Sequence, residues 1–172
     1  MDVTDVAAIA ATAKDLFRLE AQPTYLVEQE AEDLAAWRRG DRTLLTPETS
    51  TWLAHIRDTT AAGARWSRVR ILDYPLTDYA EFELHGYQAN QRAGEQIYVA
   101  DRAWSRELSN LHDDFWIFDE TVVRMIYDRD GHFLRPELAV DKARFDVMRS
   151  IGLRYSISLT DFLADREPRL IA

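Results

Sequence analysis

Four consecutive large apolar residues, Phe115-Trp116-Ile117-Phe118, constrain this chain most. Side chains alternate between the two faces of a strand, so such a run leaves neither face fit for water. It predicts an interior strand of a sheet covered on both sides. A second run, Val122-Val123-Arg124-Met125-Ile126-Tyr127, follows after a tight turn at Asp119-Glu120, and the pair reads as a β-hairpin. Asp128-Arg129-Asp130-Gly131 is a further turn, with a short strand expected at 132–134.

The flanking segments supply the layers. Residues 1–14 are Ala/Thr-rich and read as a loose helix or mobile terminus, and Leu16-Phe17-Arg18-Leu19 as a short edge strand before Pro23. A helix is expected at 27–39, with Ala31, Leu34, Ala35 and Trp37 as its apolar stripe and Gly40 after it. Another should start at Thr46 as N-cap and Pro47, burying Trp52, Leu53 and Ile56 and ending at Gly63. A strand follows at 66–72. Leu76, Tyr79, Phe82, Glu83 and Tyr87 then recur at helical spacing up to Gly94. A short strand is expected at 97–100 and a polar loop at 101–111. Residues 141–155 read as a helix with Val140, Ala143, Val147 and Ile151 on one stripe and Phe145, Met148 and Tyr155 nearby, and Ser158 to Asp161 is a capping-box pattern. The expectation is an α/β fold: one domain with a mixed sheet flanked by helices, divided into an N-terminal extension at 1–46, a core at 47–157 and a C-terminal helical turn at 158–172.

Composition excludes several chemistries. The chain has 172 residues and no cysteine, which removes disulfides, thiolate metal sites and cysteine nucleophiles. The net charge of −9 argues against direct nucleic-acid binding. The first twenty residues lack a signal-peptide pattern, and no apolar run is long enough to span a membrane, so a cytoplasmic location is expected. No P-loop, Gly-x-Gly-x-x-Gly or Gly-x-Ser-x-Gly motif is present, and no cofactor is expected. His55, His85 and His132 lack metal-site spacing. Asp128 and Asp130 read as turn residues because the later ligands of a calcium loop are missing. No metal is expected. Arg65, Arg68 and Arg70 read as a solvated strand face.

Leu111-His112-Asp113-Asp114-Phe115-Trp116-Ile117-Phe118-Asp119 resembles one half of the phospholipase D superfamily, whose signature is His-x-Lys-x-x-x-x-Asp. His112 and Asp119 fall at its first and last positions, and the resemblance covers roughly residues 47–157. Asp114 stands at the lysine position, a charge reversal that would repel phosphate. The family's Gly-Ser-x-Asn has no counterpart, and one motif stands where the enzymes need two. The resemblance therefore implies a phospholipase-D-like half-domain with a degenerate active site.

A second resemblance spans nearly the whole chain. Leu16 to Glu20, Arg68 to Leu72, Pro75 to Tyr79 with Phe82-Glu83-Leu84, and Asp114 to Asp119 look like an actinobacterial family known only as a domain of unknown function. Nineteen arginines against two lysines agree with a high-GC bacterium. Members are often met beside helix-turn-helix regulators, which implies regulation and a partner of that kind.

These readings combine into an expectation of a non-enzymatic, cytoplasmic, regulatory module that binds a ligand or partner. Trp104, His112 and Arg124 are its candidate binding residues. The alternative is a small phosphoesterase-like enzyme with His112 as nucleophile or general acid/base and Asp114 or Asp119 orienting it. A single half of a two-half architecture leaves an uncovered edge. A homodimer or a complex with a helix-turn-helix regulator is expected, in contact near 97–112.

Overall fold

The computed structural model describes residues 1–166. In chain order they form α1 (Val3–Thr12), β1 (Asp15–Glu20), α2 (Ala31–Arg38), α3 (Thr51–Ala61), β2 (Arg65–Leu72), α4 (Asp78–Ala93) and β3 (Gln96–Asp101). Then follow β4 (Phe115–Phe118), β5 (Thr121–Tyr127), β6 (Phe133–Ala139), α5 (Lys142–Arg154), β7 (Ile157–Ser158) and α6 (Leu159–Arg166). The strands make one mixed sheet in the order β6-β5-β4-β1-β2-β3-β7.

The expected hairpin is present. β4 and β5 pair antiparallel, with Ile117 opposite Val122 and Phe118 opposite Thr121, and β4 lies inside the sheet. Asp119 takes the left-handed backbone that so tight a turn requires, at φ 50°. Its carboxylate accepts from the backbone amides of Lys14 and Asp15, which ties the turn to the start of β1.

β1 differs from the expected edge strand. It is the middle strand of the sheet, parallel to β2 on one side and antiparallel to β4 on the other. Arg18 and Glu20 obscure this in the sequence, because a charged residue in a short segment normally marks a solvated face. The sheet therefore crosses the boundary at residue 47, and β1 belongs to the core.

β1, β2 and β3 are parallel, joined through α3 and α4, which pack on each other over one face. α5 covers the other face. There Phe17, Leu19, Val69, Ile71, Phe115 and Ile117 meet Phe145 and Met148. Gly152 allows the approach: a Cβ there would stand 3.1 Å from Leu19 Cδ1. Of the stripe expected on α5, Ile151 packs on this core, and the phase otherwise moves to the residues expected beside it. Val140 and Val147 are exposed, and Phe145, Met148 and Gly152 face the sheet.

On the α3/α4 face the sheet changes character along its strands. Toward one end Leu16, Trp66, Phe118 and Val123 pack with Leu53 and Ile56 of α3 and Ala89 and Ala93 of α4. Trp66 donates from Nε1 to Thr59 Oγ1 at 2.9 Å, so its burial leaves no orphan donor. α3 is capped by Ser50, four residues later than Thr46, because Thr46–Thr49 closes a separate turn. Trp52 stays largely exposed. α4 is capped by Thr77 and ended by Gly94 in the left-handed region.

The expected open edge at β3 is covered by the two-residue strand β7, with Val99 opposite Ile157 and α6 packed beside it. β6 forms the opposite edge. It is longer than the strand expected at 132–134 and carries Pro136. Leu108 and Leu111 are buried, so the loop at 101–111 is anchored, and Arg102 bonds Asp73 and the carbonyls of Ala21 and Leu111. Among the described residues, no helix is long and apolar enough to cross a membrane.

Candidate functional site

Alternation places Arg18 and Glu20 of β1 and Arg68 and Arg70 of β2 on one face, with Arg18 opposite Arg68 and Glu20 opposite Arg70. This is the polar end of the α3/α4 face. All four are buried, and Arg70 is fully so. The solvated face expected for Arg68 and Arg70 is therefore corrected; Arg65, of opposite parity, is the exposed one. Charges so placed must be paired, since an isolated ion loses its hydration without return.

The partners come from α4 and its flanks. Tyr79, Glu83 and Tyr87 recur every fourth residue and so share one helix face. Arg70 donates through Nε and Nη2 to Glu83 Oε2 at 3.0 and 2.8 Å. Arg68 donates through Nη1 to both oxygens of Glu20 and through Nε to Glu95 at 2.8 Å. Asn90 supplies Glu95 with a second donor at 2.7 Å. Tyr87 donates to Glu20 at 2.5 Å and lies 3.2 Å from Glu83 Oε1. Arg68 also lies over the Tyr87 ring and Arg70 over the Tyr25 ring.

Asp114 completes the buried set. It accepts from the Tyr25 hydroxyl and from the Ala21 amide, and Arg18 stands 3.8 Å away. Arg18 Nη1 and Asp114 Oδ2 are buried without a hydrogen-bond partner among the described residues.

Burial pushes the Glu83 carboxyl up to about 7; Arg70 opposes this, and Glu20 and Glu30 add to it. Burial acts the same way on Glu20, but Arg68, Arg18 and Arg70 together outweigh it and hold that carboxyl at about 2. Burial raises Glu30 and Asp114 as well. Two neighbouring carboxyls pushed apart in this way are a feature of functional sites, and also of structural ion-pair networks.

Above this floor is a cavity of about 620 Å³. Its walls are α4 and the segment 27–53, which includes α2. Tyr25, Tyr79, Phe82 and Trp37 line it with aromatic surface, and Glu20, Glu30 and Glu83 with carboxyls. α2 buries no residue fully, so it lies against the cavity rather than on a packed core. Gly86 lines the cavity in the middle of α4, and a Cβ there would meet nothing within 4 Å. Trp37 Nε1 is buried without a partner.

None of Trp104, His112 and Arg124 lines this cavity. Trp104 ends a short 3-10 turn and is 46% exposed. Arg124 lies between Asp113, at 2.9 Å, and Glu137. His112 is exposed before β4, and Asp119 lies past its far end, so the strand separates them. Asp114 does not line the cavity and reaches its wall through Tyr25 and Arg18. Asp128, Asp130 and His132 bring ligand-type atoms within 4.8 Å of one another. The Asp128 carboxylate already accepts from the amides of Asp130 and His132, which explains the cluster as a turn.

The buried network itself escaped the sequence reading. Its signals were Arg18-x-Glu20 and Arg68-x-Arg70, charges at alternate positions within otherwise apolar strands, and the Tyr79–Glu83–Tyr87 spacing. A family model matches residues 5–164, nearly the entire length. The chain belongs to the DUF6879 family, a domain of unknown function. The DUF6879 match takes in β1, both walls of the cavity and all of the buried charges. No curated protein and no solved structure matches the chain.

Proposed function

We propose that this DUF6879 chain is a non-enzymatic small-molecule-binding module whose ligand occupies the cavity between α4 and the segment 27–53. Gly86 is the observation that carries this reading. Glycine inside a helix costs roughly 0.5–1 kcal/mol relative to alanine. Here no close contact requires it, and its bare Cα faces the cavity. The helix forgoes stability where a side chain would take up the ligand's space. The cavity volume falls in the usual range for small-molecule sites, and Trp37 Nε1 offers a free donor.

A regulatory, cytoplasmic role and a homodimer or helix-turn-helix partner belong to the same proposal. The regulatory role and the helix-turn-helix partner rest on the family resemblance, and the cytoplasmic location on the sequence pattern of the first twenty residues. The homodimer loses its original ground where β7 covers β3 and rests on exposed Trp104 as the contact to test. The phospholipase-D-like ancestry rests on the motif. The phosphoesterase alternative draws little support from the placement of its residues: His112 stands apart from Asp119, which serves backbone amides.

Fragment screening by protein-observed NMR tests the proposal. Fragments should shift the indole resonances of Trp37 and of Trp52, which also lines the cavity. Gly86→Phe should stay folded by circular dichroism and lose those shifts. Shifts that persist in Gly86→Phe, or that cluster around His112 instead, would refute the cavity as the ligand site.

A further inference from the structure

Resting on that reading of the cavity, we infer that its ligand is an organic cation: a protonated amine or amidine on a flat apolar body, held at Glu30 and Glu83. Three observations lead there. The first is charge. Among the described residues, Arg18, Arg68 and Arg70 face five carboxyls in and around the floor: Glu20, Glu30, Glu83, Glu95 and Asp114. Arg68 is held by Glu20 and Glu95, and Arg70 by Glu83 and the Gln22 carbonyl. Glu30 has no cation within 4 Å among the described residues; its bond is from the Tyr79 hydroxyl at 2.7 Å. Arg68, the guanidinium on the cavity wall, is held by Glu20 and Glu95, so an added anion would face the carboxyls of Asp33, Glu30 and Glu83, whereas a bound cation would favour the ionised forms of Glu30 and Glu83 against the burial that raises both.

The second is donor supply. A carboxylate only accepts, and a tyrosine has one hydrogen to give. Tyr25, Tyr79 and Tyr87 direct theirs to Asp114, Glu30 and Glu20. Oxygens remain on Glu30 and Glu83 that can accept more, and the hydroxyl hydrogens of these three tyrosines are committed. A ligand suited to this end brings N–H groups. A protonated amine brings several, and a planar amidine can present two to one carboxylate.

The third is the wall. Tyr25, Tyr79, Phe82 and Trp37 offer ring faces, and the chain's own guanidinium groups already stack on such rings: Arg70 over Tyr25 at 5.2 Å and Arg42 over Trp37 at 4.4 Å. Aromatic faces attract cations and pack against flat apolar bodies. The volume gives room for roughly twenty water-sized groups, more than a bare ammonium or a metal ion would fill.

A matched trio of probes tests the charge alone: tryptamine, tryptophol and indole-3-propionate, titrated into the full chain by calorimetry and ligand-observed NMR at neutral pH. Tryptamine should bind more tightly than tryptophol by on the order of tenfold or more, the usual worth of a charge-assisted hydrogen bond, and indole-3-propionate should bind weakest. Glu30→Gln and Glu83→Gln should each weaken tryptamine severalfold and leave tryptophol unchanged. Glu30→Gln keeps every buried ion pair, so its result stands even if Glu83→Gln unfolds. Equal binding of tryptamine and tryptophol, or preference for the propionate, overturns the cation assignment. So does a cavity that accepts other fragments and none of the trio, while small-molecule binding itself survives. If no fragment at all enters the cavity, the binding proposal fails as well.

Discussion

Arg68 donates through one guanidinium nitrogen to both carboxylate oxygens of Glu20, at 2.9 Å each, and neither residue is more than 7% exposed. The two sit on adjacent parallel strands at the middle of the sheet, so this ion pair fastens the floor of the cavity to the core. Removing one partner leaves a buried charge uncompensated, at a cost of about 3–5 kcal/mol. Arg68→Leu should lower unfolding stability in urea by about that amount. Replacing Arg68 and Glu20 together by apolar residues should cost clearly less than the two single changes added. Strict additivity in that cycle would mean the pair is not coupled.

Glu20 and the neighbouring Glu83 give opposite pH dependences. Glu20 is depressed to about 2 by its guanidinium neighbours, so its contribution is complete above the ordinary glutamate value near 4.5 and is lost as pH falls toward 2. Glu83 is raised to about 7 by burial, so its contribution is complete below about 4.5 and is lost as pH rises through 7. Arg70, Arg68, Glu20, Glu30, Tyr25, Tyr79 and Tyr87 surround Glu83 and set this balance. Melting temperature should therefore decline between pH 5 and 7.5, and Glu83→Gln should flatten that limb. A decline of equal slope in Glu83→Gln would assign it to another group.

Gly86 and Gly152 are both helical, and alanine should affect them in opposite directions. Gly86→Ala meets open space and should stabilise by about 0.5–1 kcal/mol. Gly152→Ala would place its Cβ 3.1 Å from Leu19 Cδ1 and 3.4 Å from Val69 Cγ1. Overpacking of that kind costs about 1–3 kcal/mol, which exceeds the gain in helix propensity. Calorimetric melting should show a higher Tm for Gly86→Ala and a lower one for Gly152→Ala.

Asp119 and His112, equivalent as motif residues, should separate in stability measurements. Asp119→Ala removes acceptors for the Lys14 and Asp15 amides and places alanine at positive φ, so a loss of about 1–3 kcal/mol is expected. His112→Ala alters an exposed side chain and should stay within about 0.5 kcal/mol of the parent. Denaturant melts of the two variants compare these directly.

Local physics made much of the fold legible from the residues alone. The two-sided apolar run at 115–118 required an interior strand, the tight turn after it a hairpin, and Gly94 the end of α4; each depends on neighbours within a few positions. The alternation around Arg18, Arg68 and Arg70 was just as visible, yet its meaning was not local. A charge at every second strand position fits a solvated face or a buried ion-pair network equally well. Only tertiary structure decides which, by bringing Glu83 and Glu95 within 3 Å of those guanidinium groups. The same holds for β1, which became central because β2 and β4 both pair with it, and for the cavity, whose walls lie far apart in the chain. The sequence determined most of the elements, while the cap of α3 fell at Ser50 and not Thr46 and β7 was visible only in the sheet. The order of strands, the phase of α5 and the site over the buried charges came from long-range packing, because burial is set by what lies opposite a residue and not by what lies beside it.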